Sequence, residues 1–302
     1  MNKVSWIYIP ISIIGTIIFL LLIVYLIVRI YINKFKSEIS STMIKLCEDD
    51  KKDYLIPNIE NFENLNYHAK NSYAFIILNS AVSAWCGCQK SLPNIDTFNN
   101  IGKYQSYDSY ADIYRNTSTM YYSKSKNIII ISFSGTRYLS EWYDDFDYEQ
   151  IKPDFINDEK ILIHRGHYKL YATLRNKLIN DLKNILNDQT VIVCTGHSLG
   201  ASLATICFAD IFSNKIGKNI TLYSYGSPRV GNNAFVDLVN VKGTSYRIVN
   251  NEDLIPQLIL SIMVKGQNKY YYEHIDKTIS FSMNLEDYQK NHIEAYEKYL
   301  KN

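Results

Sequence analysis

Val191-Ile192-Val193-Cys194-Thr195-Gly196-His197-Ser198-Leu199-Gly200-Ala201 passes from an apolar run, through two glycines flanking a serine, into a second apolar stretch. A short continuous apolar run reads as a strand buried on both faces. The stretch that follows reads as a helix over Leu199–Phe212. G-x-S-x-G between a strand and a helix is the setting of a nucleophilic serine. Ser198 must then occupy a turn so tight that only residues without side chains fit beside it. The turn lifts its Oγ above the sheet edge and leaves the Leu199 N–H facing a developing oxyanion, at the positive end of the helix. The bland alternative is an ordinary glycine-rich turn. With 12 glycines in 302 residues, two of them flanking a serine after a buried strand favour the nucleophile.

Outward from this turn, Ile128–Phe133, Leu222–Tyr225 and Tyr246–Val249 read as further buried strands, and Lys169–Leu186 as a helix. Small and apolar residues at helical spacing predict another helix over His68–Cys86. Strands alternating with helices imply an α/β class, with a mostly parallel central sheet flanked by helices. The polar, charged stretch from Ser37 to about Asn66, with Pro57, reads as a linker. The expected organisation is an amino-terminal anchor and flank over 1–35, a linker and entry segment over 36–66, and a catalytic domain over 67–302.

The formal net charge is +2 and no long basic stretch is present, so nucleic acid is not an expected partner. Twenty-six tyrosines, and many Ile, Asn and Lys, read as the coding bias of an AT-rich genome. Cys47, Cys86, Cys88, Cys194 and Cys207 form no paired metal-ligand spacing. They read as free thiols packed as small hydrophobes, which leans toward a reducing compartment. No metal and no cofactor are implied.

Val4–Val28 contains no charged residue. As a helix it is about 37 Å long against a hydrocarbon core of about 30 Å. It exceeds a signal peptide's apolar region and ends without a small-x-small cleavage pattern, so a retained single-pass transmembrane helix is expected. Arg29, Lys34 and Lys36 follow the run, and Lys3 precedes it. That balance leans toward a cytosolic catalytic domain. The sequons at Asn116 and Asn219 bear on the fold only if the domain is lumenal.

The nucleophile region Thr195–Ala204 resembles that of the class 3 (fungal-type) lipases. So does Tyr225-Gly226-Ser227-Pro228-Arg229-Val230-Gly231-Asn232, and the resemblance extends from roughly Ser72 to Tyr296. It implies an α/β-hydrolase fold. Phe133-Ser134-Gly135-Thr136 resembles the family's F-R-G-[ST], which makes Thr136 the second oxyanion-hole donor beside Leu199. Ser134 stands where the family has Arg. Trp142 and Asp145 match W-x-x-D, so Asp145 is expected to help hold Thr136, with Tyr138–Tyr148 as the lid. His164-Arg165-Gly166-His167 resembles H-x-G-F, with His167 replacing the aromatic and His164 expected to be structural.

The chain order for this chemistry is serine, acid, histidine. Arg247–Pro256 resembles the family's V-N-x-x-D-x-V-P, which makes Asp253 the acid; Glu252 is its local competitor. Of the histidines that follow, His292, in Asn291-His292-Ile293-Glu294-Ala295-Tyr296, resembles the catalytic D/N-H-x-x-Y. His274 resembles a noncatalytic Y-x-H, so His292 is favoured as the base. The expected function is a membrane-held serine hydrolase of lipid carboxylic esters, triacylglycerol lipase-like, with no protein partner identified. The alternatives are a phospholipase A1 or a small-ester carboxylesterase on the same fold, or an inactive lipid-binding protein. The lid's mix of aromatic and acidic residues leaves the ester open.

Overall fold

A computed structural model describes residues 98–108, 113–135, 147–241 and 244–301. The chain divides into Met1–Asp53 and Tyr54–Asn302, and every described residue belongs to the second unit. The Val4–Val28 span, the linker, the His68–Cys86 helix, the domain boundary at residue 67, and Cys47, Cys86 and Cys88 lie outside the described residues. So do Thr136, Trp142 and Asp145. Among the described residues no helix is long and apolar enough to cross a membrane.

In chain order the strands are β1 (Phe98–Asp108), β2 (Ile113–Ser123), β3 (Ile128–Phe133), β4 (Gln150–Ile151), β5 (Ile163–His164), β6 (Val191–His197), β7 (Asn219–Tyr225), β8 (Ser245–Asn250), β9 (Ile262–Lys265), β10 (Asn268–Tyr271) and β11 (Thr278–Phe281). The α-helices are α1 (Arg165–Ile185), α2 (Leu199–Ser213), α3 (Asn233–Val241), α4 (Tyr288–His292) and α5 (Glu294–Lys301). Seven strands form the main sheet in the order β1-β2-β3-β6-β7-β8-β11. From β3 to β11 every pair is parallel, and β1 and β2 extend the sheet antiparallel at one edge. This is the mostly parallel, helix-flanked sheet the sequence implies.

The central parallel strands carry short apolar runs because both of their faces are covered. All six residues of β3 are buried, as are six of the seven in β6. Helix α2 is buried from Leu199 to Ile211, so it reads as uniformly apolar rather than amphipathic. Helix α1 instead turns Tyr171, Leu174, Leu178 and Leu182 to the core. On that side Asp210 is fully buried and neutralised by Arg175, whose Nε donates to Oδ2 at 2.6 Å, with Tyr171 donating to the same oxygen at 2.7 Å. Cys194 and Cys207 are buried free thiols with sulfurs 4.0 Å apart, as the apolar surroundings of both imply.

Candidate active site

Parallel strands all point their carboxyl ends to one sheet edge, and β6 delivers Ser198 there as the residue immediately before α2. Ser198 has φ 59° and ψ −129°, a conformation that side-chain-bearing residues rarely adopt and that costs roughly 1–3 kcal/mol. Its N–H donates to the Tyr225 carbonyl at 2.9 Å, which ties the turn to β7. A Cβ on Gly196 would overlap the Gly200 carbonyl, and one on Gly200 would overlap the Phe133 carbonyl. Both glycines of the motif are thus required by close backbone approach. Leu199 is the first residue of α2, where helix N–H groups lack intrahelical partners.

Asp253 lies in the turn after β8, with its N–H donating to the Asn250 carbonyl at 3.0 Å. It is buried and its carboxylate is fully used. Oδ1 accepts the Ile255 N–H at 3.0 Å, and Oδ2 accepts from His292 Nδ1 at 2.8 Å and from the Tyr296 hydroxyl at 2.7 Å. The carboxylate fixes the His292 proton on Nδ1 and leaves Nε2 as the basic nitrogen. Beside this pair sits Gly226, at φ +56°. A Cβ there would lie 3.2 Å from both Asp253 Oδ2 and His292 Cε1, and 3.0 Å from the Tyr296 oxygen. Tyr225, whose carbonyl receives the Ser198 N–H, is the residue just before it. His197, adjacent to Ser198, donates Nε2–H to the His292 carbonyl at 2.6 Å, and the two rings are 4.4 Å apart. Burial, with the nearby His292 imidazole adding to it, pushes His197 well below the ordinary histidine range, so it stays a neutral spacer.

The competing residues point elsewhere. Glu252 is exposed, and only its backbone meets the site: its carbonyl accepts from Asn291 Nδ2 at 3.3 Å and its N–H donates to Asn250 Oδ1 at 3.3 Å. His274 Nε2 faces Arg247 at 3.4 Å, and burial, with Arg247 and Arg229 beside it, holds its pKa at about 3. His164 is buried at the N-terminus of α1, where Nδ1 accepts the His167 N–H at 3.4 Å; the two rings stack at 3.8 Å. It is structural, as expected.

Ser134, in place of the usual Arg, continues the β2 pairing. Its N–H donates to the Thr117 carbonyl at 2.9 Å and its hydroxyl reaches the same oxygen at 3.3 Å. A Cβ on Gly135 would meet the His197 carbonyl at 2.9 Å and Ser198 Cβ at 3.4 Å. The chain therefore runs against the nucleophile just before it reaches Thr136. At the far end of the lid segment, Arg165 Nε donates to Asp147 Oδ1 at 2.9 Å and its Nη1 donates to Glu149 at 3.0 Å.

Sequence reasoning missed the positioning of Tyr296, Gly226, Asn250 and Asn291. Asn250 Nδ2 donates to the Asn291 carbonyl at 3.1 Å, and the Asn291 amide oxygen accepts the Leu285 N–H at 2.6 Å. Together they hold α4 against the acid-bearing turn. The signal was present only as motif letters: the Tyr of the terminal H-x-x-Y and the Gly after Tyr225.

Known proteins resemble much of this chain. The profile of the class 3 lipases matches residues 130–262, from β3 through the nucleophile turn to the start of β9. Over that stretch the chain is similar to the class 3 lipases. A secreted mono- and diacylglycerol lipase A of Penicillium cyclopium is 26% identical over 216 residues, covering 70% of this chain and 69% of the relative. A phospholipase A1 of Oryza sativa subsp. indica is 31% identical over 155 residues, covering 42% of this chain and 38% of that protein. A native lipase–propeptide complex from Rhizomucor miehei superposes with a TM-score of 0.51 at 20% identity, over 68% of this chain and 71% of that one, and so shares the fold. The α/β-hydrolase architecture follows from both the sheet order and the structural likeness.

Proposed function

We propose that this protein is a class 3 lipase, a carboxylic ester hydrolase that cleaves lipid esters with Ser198 as nucleophile, His292 as general base and then acid, and Asp253 as the orienting carboxylate. The observation that carries this reading is the 2.8 Å bond from His292 Nδ1 to Asp253 Oδ2, beside Gly226, whose preceding residue Tyr225 accepts the N–H of the strained Ser198 turn. Ser198 Oγ attacks the ester carbonyl while His292 Nε2 takes its proton. The carbonyl oxygen becomes an oxyanion held by the N–H groups of Leu199 and Thr136. His292 then returns the proton to the leaving alcohol, which leaves an acyl-Ser198 ester. Water, deprotonated by the same nitrogen, releases the fatty acid. In this reading Asp145 and Trp142 support Thr136, and residues 138–148 cover the site.

The lipid ester itself is assigned from kinship. A mono- and diacylglycerol lipase is similar over most of the catalytic region, which favours acylglycerol esters. The similarity of a rice phospholipase A1 makes phospholipid the second reading. Val4–Val28 anchors the enzyme in a bilayer as a single span, with the catalytic domain on the cytosolic side. This holds the site at high effective concentration of its substrate.

Full-length protein and Ser198→Ala, offered mono-, di- and triacylglycerol and phospholipid in mixed micelles, test the chemistry. Wild type should release fatty acid and the variant should be slower by several orders of magnitude. Equal rates would exclude Ser198. Retention of the chain in membranes after alkaline washing tests the anchor, and a mature soluble chain beginning after Val28 would contradict it.

A further inference from the structure

Between Asp253 and Glu273 the chain carries two basic residues, Lys265 and Lys269, and no acidic one. Six of the eleven large hydrophobics exposed among the described residues fall within this stretch. They are Leu254, Leu258, Leu260, Ile262, Val264 and Tyr271, each 49% to 66% exposed. Scattered exposed apolar residues are ordinary, but a contiguous group marks a contact surface.

The β9–β10 hairpin explains why the group is contiguous. Its register pairs Ile262 with Tyr271, Met263 with Tyr270 and Val264 with Lys269. Side chains alternate along a strand, and cross-strand partners share a face. Met263 and Tyr270 are the half-buried, inward pair. The outward face therefore holds Ile262, Val264, Tyr271 and Lys269, an apolar surface with a cation where a solvated hairpin would carry polar residues.

The position of this face is equally specific. Its first residue, Ile262, follows Asp253 by nine positions along the chain. The other end grips the last residues of the lid segment and those just beyond it. Tyr148 donates its hydroxyl to the Val264 carbonyl at 3.0 Å, Tyr272 donates to the Tyr148 carbonyl at 2.6 Å, and Gln150 donates to the Tyr271 carbonyl at 2.6 Å. Lys265 pairs with Glu149.

We propose that the outward face of β9–β10 docks on an anionic lipid surface. Apolar side chains enter the acyl boundary, Tyr271 sits at the headgroup level, and Lys269 meets the negative charge of the interface. The lack of any carboxylate between Asp253 and Glu273 fits an anionic surface. The junction with both the acid and the lid end fits the surface that presents the ester. This assignment rests on the reading that the site cleaves lipid esters, and it names the element that meets the lipid.

The test uses the full chain reconstituted in vesicles of phosphatidylcholine, with and without phosphatidylglycerol. Amide exchange over 254–272 should slow more in the mixed vesicles, and that extra protection should vanish in an Ile262→Ser/Val264→Ser variant. The same variant should lose about tenfold or more on a vesicle-borne ester and stay within about twofold on a short soluble ester. Lys269→Glu should reduce the phosphatidylglycerol response by at least about fivefold. Equal protection in both vesicle types, unchanged by the substitutions, would mean that the chain itself or a second copy covers the face, and would overturn the proposal. Equal loss on both esters would make the hairpin structural and would overturn it as well. If the wild type cleaves neither ester, the catalytic reading fails, while the exchange measurement still decides the docking face.

Discussion

Tyr296 donates its hydroxyl to Asp253 Oδ2 at 2.7 Å, the oxygen that also receives the His292 Nδ1 proton. The same phenol oxygen accepts the Asn250 N–H at 3.2 Å, so Tyr296 links the carboxylate to the end of β8. Tyr296→Phe removes one partner of a buried carboxylate and leaves a buried N–H unpaired. A hydrogen bond to a charged group contributes roughly 1.5–3 kcal/mol. The variant should lose about tenfold or more in kcat on a soluble ester, with little change in KM, and unfold at lower urea. Unchanged kcat would show that Asp253 holds its position without the phenol.

Gly226 occupies the left-handed region with Asp253, His292 and Tyr296 packed against it. Gly226→Ala should cost roughly 1–2 kcal/mol of backbone strain, and its methyl should push Asp253 and His292 apart. The expected result is a loss of more than tenfold in kcat from a folded protein. Gly266, also at positive φ but with nothing within 4 Å, is the control. Gly266→Ala carries the strain alone and should keep its activity on a soluble ester.

Stability should fall with acid for a reason unrelated to catalysis. Burial holds His167 at a pKa of about 3, against an ordinary 6.5. Between those values the unfolded chain binds a proton that the folded chain does not. Stability is therefore fully present above about 6.5 and is lost as pH falls toward 3, by up to about 1.4 kcal/mol per pH unit. His274, depressed by burial and by Arg247 and Arg229, adds a slope of the same sign. Urea titrations between pH 7 and 4 should show His167→Phe with a flatter dependence than wild type. An identical slope would contradict the neutral buried imidazole.

The four central parallel strands and the nucleophile turn were legible because they are buried on both faces and so carry short apolar runs, as in Ile128–Ile131. Strands β1 and β2 were not. Asn100, Gln105, Asn116 and Ser118 break any simple alternation, and the β1–β2 register carries shifts between Asn100 and Gly102 and between Tyr104 and Gln105. β11 is four residues long and, among the described residues, joins the sheet only through its parallel partner β8. The contact between Asp253 and His292 crosses 39 positions and is set by tertiary packing, so chain order could nominate the residues but not their distance. Glu252 and His274 were eliminated by what surrounds them, solvent in one case and two guanidinium groups in the other. The outward apolar face of β9–β10 went unread because its alternation, taken alone, reads as an ordinary half-buried hairpin with its faces exchanged.

The most direct test is covalent. A fluorophosphonate added to the full-length protein should attach once, at Ser198, as read by peptide mass spectrometry. His292→Ala should slow the labelling by orders of magnitude, while His274→Ala leaves it near the wild-type rate. Labelling at another serine, or a slower reaction in His274→Ala than in His292→Ala, would contradict the Ser198–His292–Asp253 assignment.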